Sequence, residues 1–235
     1  MSGKNILIAG IGELGKSLSY DLLLQNNHVI INSRNQEKLK EIVSEYSIYG
    51  SIRSIAMELK DEESCKALIE DSSKYFKSLD SLVVMVGGFM EDSIEGLEGL
   101  DQMILNHLKI PLYLSKYAVK HMAYGSSIIF ISNSSISTKN KTNLLSYSIS
   151  KYALEKAAKT MAVELLQKGV RVNVIAPEYI KQSFEIGRDY SKMRKYGDLE
   201  TPPEDISNVI DYLIEGKSSW INGAVIPVDG GHSLK

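Results

Sequence analysis

Residues 6–23 read ILIAGIGELGKSLSYDLL: a short apolar run of strand character, then Gly10, Gly12 and Gly15, then the start of a helical pattern. Glycines let a chain turn tightly and let its backbone approach a pyrophosphate, whose charge is met by free N–H groups and the positive end of the following helix. A GxGxxG spacing by itself is weak; between a strand and a helix it marks a dinucleotide site. Gly10, Ile11, Gly12, Leu14 and Gly15 are the residues expected to form it. The competing reading is a tight strand-to-helix turn with nothing bound.

Outward from this loop the pattern repeats. Apolar runs of strand character occupy Ile6–Ala9, Val29–Ile31, Ile52–Met57, Leu82–Val86, Ile128–Ile131, Val170–Ile175 and Ala224–Val228, with segments of helical period between them, such as Leu154, Ala157, Ala158, Met161 and Leu165. Strands alternating with helices imply right-handed crossovers and a parallel sheet covered on both faces. The expected fold is therefore α/β: a Rossmann-like, doubly wound, parallel seven-stranded sheet, with residues 1–235 forming one domain. Residues 178–203, EYIKQSFEIGRDYSKMRKYGDLETPP, fit neither period. They lie where an open α/β sheet places ligand-covering loops, so they read either as a substrate loop or as a solvated charged excursion.

Composition narrows the function. With 27 basic and 29 acidic residues the net charge is −2, which disfavours nucleic acid and anionic membranes as partners. Cys65 is the single cysteine, and no Cys/His cluster has metal-ligand spacing. The start MSGKNILIAG lacks signal-peptide character, and the longest apolar run, Leu82–Met90, is too short and glycine-broken to span a bilayer. A cytoplasmic location is expected.

The second strand ends in INSRNQ. An acidic residue there would bind the adenosine ribose hydroxyls and repel a 2′-phosphate; Ser33 and Arg34 stand there instead. A guanidinium suits a phosphate, so NADP(H) is favoured over NAD(H), although Glu13 in the glycine loop acts in the opposite direction. Further along, SYSISKYALEKAAKT (residues 146–160) holds Tyr147 and Lys151 one helical turn apart on one face. An ammonium beside a phenol favours the phenolate and would lower the Tyr pKa, letting it trade a proton with a carbonyl or alcohol.

These residues resemble the short-chain dehydrogenase/reductase family over nearly the whole chain. YSISKYALEKAAKTMAVELLQKGVRVNVIAP (residues 147–177) is similar to the family's active-site helix and the strand after it. LNHLKIPLYLSKYAVKHM resembles the segment carrying the active-site Asn, INGAVIPVDGG resembles the last strand and turn, and AMELKDEES resembles the segment whose acidic and aliphatic residues lie by the adenine. The resemblance implies hydride transfer between a nicotinamide and a small-molecule carbonyl or alcohol. Tyr147 would protonate the oxygen. Lys151 would lower the Tyr pKa and hold the nicotinamide ribose, and Asn106 would anchor a water leading to Lys151. Glu58, Leu59, Gly87, Pro177 and Ile180 would contact the cofactor. The family's active-site Ser falls on Ser134 by its spacing from the Tyr, with Ser132 and Ser135 as alternatives, whereas strand register puts Asn133 at that place. The resemblance also implies a homotetramer or homodimer.

The pattern breaks at three points. The glycine loop is one residue short and carries Glu13 where a glycine is usual, Val84-Met85-Val86-Gly87-Gly88 replaces Asn-Asn-Ala-Gly after the fourth strand, and Pro177-Glu178 replaces Pro-Gly. These departures keep a second reading open: a dinucleotide sensor or scaffold on the same fold, without turnover. Tyr179, Phe184, Tyr190, Met193 and Tyr196 would line an apolar and aromatic substrate pocket if residues 178–203 cover it. Phe89, Met85 and Met90 could add a wall, and Trp220 is expected to pack near the last strand.

Overall fold

The computed structural model describes residues 3–136, 138–139 and 141–235. Strands β1 (Asn5–Ala9), β2 (His28–Ser33) and β3 (Ser51–Ala56) alternate with helices α1 (Glu13–Leu24), α2 (Gln36–Tyr46) and α3 (Glu62–Ser73). Strand β4 (Ser81–Val84) is followed by α4 (Leu100–Ile104), a π-helical turn (Leu105–Lys109) and α5 (Ile110–Ala118). Then come β5 (Ser127–Ile131), α6 (Leu145–Glu164), β6 (Arg171–Ala176), the two-residue strands β7 (Tyr179–Ile180) and β8 (Glu200–Thr201), α7 (Pro203–Ile214) and β9 (Val225–Pro227).

The main sheet has seven parallel strands in the order β3-β2-β1-β4-β5-β6-β9. Side chains alternate between its faces. Leu7 and Ala9 join the core beneath α3, α5 and α6, while Ile6 and Ile8 join the core beneath α1, α2 and α7. Strands buried on both faces explain why the apolar runs are continuous rather than alternating. Each fully buried Leu or Ile contributes about 1.5–3 kcal/mol, so these two cores supply most of the drive to fold. Strand order reverses between β1 and β4, which opens a crevice at their C-terminal ends.

Residues 178–203 carry more order than their sequence indicates. Strands β7 and β8 pair in parallel, and the Arg188 guanidinium grips Glu204 in the first turn of α7, with Nη2 to Oε2 at 2.8 Å. Arg194 pairs with Asp205 in the same turn, its Nε to Oδ2 at 2.9 Å. Trp220 does not pack near β9: it is 98% exposed.

Between α1 and α7, Asp21 accepts a hydrogen bond from the Ser207 hydroxyl at 2.7 Å, and burial pushes its pKa up to about 6. The folded chain thus retains a proton that the unfolded chain has released between about pH 4 and pH 6, so stability falls as pH rises through that window. Asp21→Asn keeps a hydrogen-bonding partner for Ser207 and removes the buried charge. It is expected to stabilise the protein at neutral pH by about 2 kcal/mol, or about 4–8 °C in Tm for a chain of this size, with the gain vanishing near pH 4. Thermal melts of both forms at the two pH values check this.

Candidate active site

The crevice holds a cavity of about 560 Å³. Gly12, Leu14 and Gly15 line one end; Gly87, Lys151, Pro177 and Ile180 line its middle; Phe89, Ile136, Leu144 and Tyr179 close the other end around Tyr147.

At the glycine end the backbone decides. Gly10 has φ +88°, and a Cβ there would stand 2.9 Å from the Val86 nitrogen on the strand-β4 side, so no other residue fits. A Cβ at Gly12 would meet nothing within 4 Å, so this glycine leaves the mouth of the loop open. No side chain caps α1, whose first N–H groups therefore stay available to an anion. Glu13 lines the same end, but its carboxylate is paired with Lys16 at 2.9 Å. The loop thus fits a pyrophosphate despite its shortened form. Ser33, Arg34, Glu58 and Leu59 lie outside the cavity walls, at the ends of β2 and β3, where an adenosine half would extend. Arg34 and Glu58 are 3.7 Å apart and both largely exposed, and the Ser33 hydroxyl accepts from the Asn35 N–H at 3.2 Å. Sequence reading missed Lys38. Asn35 caps α2 by accepting from the Lys38 N–H, and the Lys38 ammonium reaches the Ile11 carbonyl at 3.4 Å, which brings a second cation to this corner.

Helix α6 presents Tyr147 and Lys151. Its start is fixed by buried Asp92, which accepts from the Ser146 N–H at 2.9 Å and from the Ser146 hydroxyl. The Lys151 ammonium lies 5.9 Å from the Tyr147 ring centroid and donates to the Ile131 carbonyl at 2.9 Å. Burial pulls Lys151 down to about 8, against the opposing pull of the Glu155 carboxylate one turn along. Tyr147 departs from expectation: its pKa is not lowered but pushed up to about 12. Burial outweighs every other influence and the Glu178 carboxylate adds to it, while the Asn133 amide acts in the opposite direction.

Asn106 sits in the π-helical turn, outside the cavity wall. Its Nδ2 donates to the Gly87 carbonyl at 2.8 Å. The next residue, His107, is fully buried, edge-on to Tyr147 with ring centroids 5.4 Å apart. Its Nε2 faces the Gly88 carbonyl at 3.1 Å and so carries the proton, while Nδ1 lies 2.9 Å from the Ser150 hydroxyl, which also donates to the Tyr147 carbonyl at 2.8 Å. Burial, reinforced by Lys151, holds His107 down at about 3, so the ring is neutral. Asn106 and His107 together brace the Gly87–Gly88 backbone, a task that the absent Asn-Asn-Ala-Gly side chains would otherwise share.

The polar turn after β5 separates its serines. Ser134 is buried outside the cavity wall, its hydroxyl 3.1 Å from Glu178 Oε2; Ser132 donates to Glu155 at 2.6 Å. Ser132, Asn133 and Ser135 face the cavity. Of the aromatic residues expected to form a substrate wall, Tyr179 does so. Phe184 instead packs against Tyr20, Tyr190 accepts from the Asn208 amide, and Tyr196 is exposed. Lys139 and Lys141 also line the cavity and were not anticipated. Among the described residues, no helix is long and apolar enough to cross a membrane, and no cluster of His, Cys, Asp and Glu could hold a metal.

The family model described as enoyl-(acyl carrier protein) reductase matches residues 13–233. A 3-oxoacyl-[acyl-carrier-protein] reductase of Rickettsia bellii is 31% identical, over 98% of this chain and 97% of its own. A 7alpha-hydroxysteroid dehydrogenase of Bacteroides fragilis is 28% identical, over 98% and 95%. A solved short-chain dehydrogenase/reductase of Serratia marcescens superposes with a TM-score of 0.88 at 23% identity, covering 99% of this chain and 98% of that one. The parallel sheet, the glycine loop and these matches agree along almost the full length, and the chain belongs to the short-chain dehydrogenase/reductase family of oxidoreductases, enzymes acting on the CH–OH/C=O pair.

Proposed function

We propose that this enzyme carries out reversible NADP(H)-linked reduction of a carbonyl compound with an apolar body, with Tyr147 as the group that exchanges a proton with the substrate oxygen. The observation that carries this reading is that Tyr147, Lys151 and the glycine loop wall one cavity. A nicotinamide bound there supplies or accepts the hydride. The protein's part is to hold the carbonyl against Tyr147, whose phenol is protonated at working pH and so ready to donate. Lys151 supplies positive charge beneath the ring and a donor for the nicotinamide ribose. Asn106, as the resemblance implies, would head a water path to Lys151, while its amide steadies Gly87. Phe89, Ile136, Leu144 and Tyr179 favour an apolar or aromatic substrate body. Oxoacyl groups on an acyl carrier protein and hydroxysteroids, the classes named in the relatives, are the first to try, the latter in the oxidation direction. Glu178 to Pro203 is the segment that would cover the substrate.

The test is NADPH consumption with a panel of ketones, a Tyr147→Phe control, and an enoyl thioester alongside. Ketone-dependent turnover supports the reading. Turnover of the enoyl thioester alone, or tight NADPH binding with no turnover, refutes it, the latter in favour of a sensor. A homotetramer or homodimer belongs to the same proposal, since Ile149, Tyr152 and Val163 leave an exposed apolar stripe on α6; sedimentation measures it.

Cofactor choice follows from the β2 corner. Arg34, Lys38 and Ser33 gather where a 2′-phosphate would lie, and the exposed Arg34–Glu58 pair costs little to break. Arg34→Ala is expected to weaken NADPH binding about tenfold, the scale of one charge-assisted contact, and to change NADH binding less than about twofold. Titrating both cofactors against both proteins checks this, and an equal loss for the two would remove Arg34 from the phosphate site.

A further inference from the structure

We propose that the Asn133 amide, in place of a serine hydroxyl, makes the second hydrogen bond to the substrate's carbonyl oxygen, and that Glu178 is the residue that positions it. The inference deepens the carbonyl-reduction reading above and rests on it. Two departures from the family pattern, Asn133 at the register position of the active-site Ser and the Glu following Pro177, meet in space as one hydrogen-bonded unit. The Glu178 carboxylate is buried and accepts from the Ser134 hydroxyl at 3.1 Å, the Ser135 N–H at 3.0 Å and the Lys141 ammonium at 2.8 Å. Those bonds draw the turn after β5 onto the loop after β6 and take the Ser134 hydroxyl out of the cavity wall.

Asn133 faces the cavity beside Ser135 and Ser132, the last of which gives its hydroxyl proton to Glu155. The Asn133 amide is held at both ends: Nδ2 donates to the Glu178 carbonyl oxygen at 2.7 Å, and Oδ1 accepts from the Ser135 N–H at 3.0 Å. A primary amide has two N–H donors and that bond uses one. The other is directed at the Tyr147 phenol, where it opposes the rise of that group's pKa, and a substrate oxygen placed against the phenol would take it over. A donor fixed beside the proton-exchanging phenol is suited to an oxygen that gains negative charge as hydride arrives. With both ends of the amide tied, the donor needs no reorganisation during the reaction.

The experiment measures kcat, KM and NADPH affinity with ethyl acetoacetate, acetoacetyl-coenzyme A and cyclohexanone as probes. Asn133→Ala is expected to lower kcat about a hundredfold, the scale of losing one such donor, with NADPH affinity held within about twofold. Asn133→Asp, the same shape without a donor, should lose at least as much, and Asn133→Ser should recover part of the rate. Glu178→Gly should lower kcat about tenfold, and the Asn133→Ala/Glu178→Gly double variant should be no slower than Asn133→Ala, because Glu178 acts through Asn133. The last result separates positioning from a general loss of structure, with thermal melts as the folding control. An active wild type whose Asn133→Ala variant stays within about threefold, or in which Ser134→Ala or Ser135→Ala carries the hundredfold loss instead, overturns the inference. A wild type that binds NADPH and turns over none of the probes overturns the carbonyl-reduction reading and this inference with it; that failure is visible in the wild type alone.

Discussion

Tyr147→Phe is expected to lower kcat for carbonyl reduction about a thousandfold, the upper range for losing a positioned general acid, while NADPH affinity changes less than about twofold. The substitution removes one oxygen and little else. The Tyr147 ring packs edge-on against Phe89, with centroids 5.3 Å apart, and against His107. A Phe ring keeps both contacts, so the helix and the cofactor side of the cavity stay as they are. The raised pKa of Tyr147, about 12, keeps the phenol protonated in the free enzyme. A phenol that holds its proton at all working pH values donates readily to an oxygen receiving hydride. Alcohol oxidation requires the phenolate and should therefore lag at neutral pH and rise as pH rises. Stopped-flow or steady-state rates in both directions check this. A Tyr147→Phe enzyme that keeps more than about a tenth of wild-type kcat would move the acid to another group.

Reading the sequence led to the opposite expectation for this pKa, for a definable reason. Helical spacing puts Tyr147 and Lys151 on one face, but it does not show how deeply the phenol is buried or that the Lys151 ammonium is engaged by the Ile131 carbonyl. Nor does it show that Glu178, thirty-one positions away, brings a carboxylate to the same corner. What was legible is what local pattern encodes: strands buried on both faces, the glycine loop, and the Tyr–Lys turn. What was not legible depends on distant partners. Residues 178–203 lack any period because Arg188 and Arg194 anchor them to carboxylates on α7, an order that leaves no apolar signature. Asn133 and Glu178 could each be marked as a departure in the chain, but their meeting is a property of the folded turn alone. The same holds for the missing Asn-Asn-Ala-Gly side chains, whose bracing role falls partly to Asn106 and His107 from the helix opposite.

Lys151→Met should lose NADPH affinity by more than about tenfold and kcat by about a hundredfold together, a pattern distinct from Tyr147→Phe because in the proposed reading Lys151 serves both the ribose and the proton-exchanging phenol. Met keeps the length and apolar stem of the side chain. It leaves the Ile131 carbonyl without its donor, which costs about 1–3 kcal/mol, and it relieves the burial of a charge, which offsets part of that cost. The net change in stability should therefore be small beside the change in function. Burial holds Lys151 at about 8, so its positive charge is present below that pH and lost above it. Reduction rate and NADPH affinity should accordingly fall together as pH rises through about 8. Neither ring beside Lys151 accounts for that limb: His107, at about 3, is neutral throughout, and Tyr147, at about 12, titrates above it. Lys151→Arg keeps its charge far above this range and should flatten the limb, though at a lower rate because the planar guanidinium fits the Ile131 carbonyl differently. Profiles of kcat/KM and of NADPH affinity between about pH 6 and pH 10 test this; a limb that persists in the Arg variant would have to come from the substrate or the cofactor, and Lys151 would lose its assigned part.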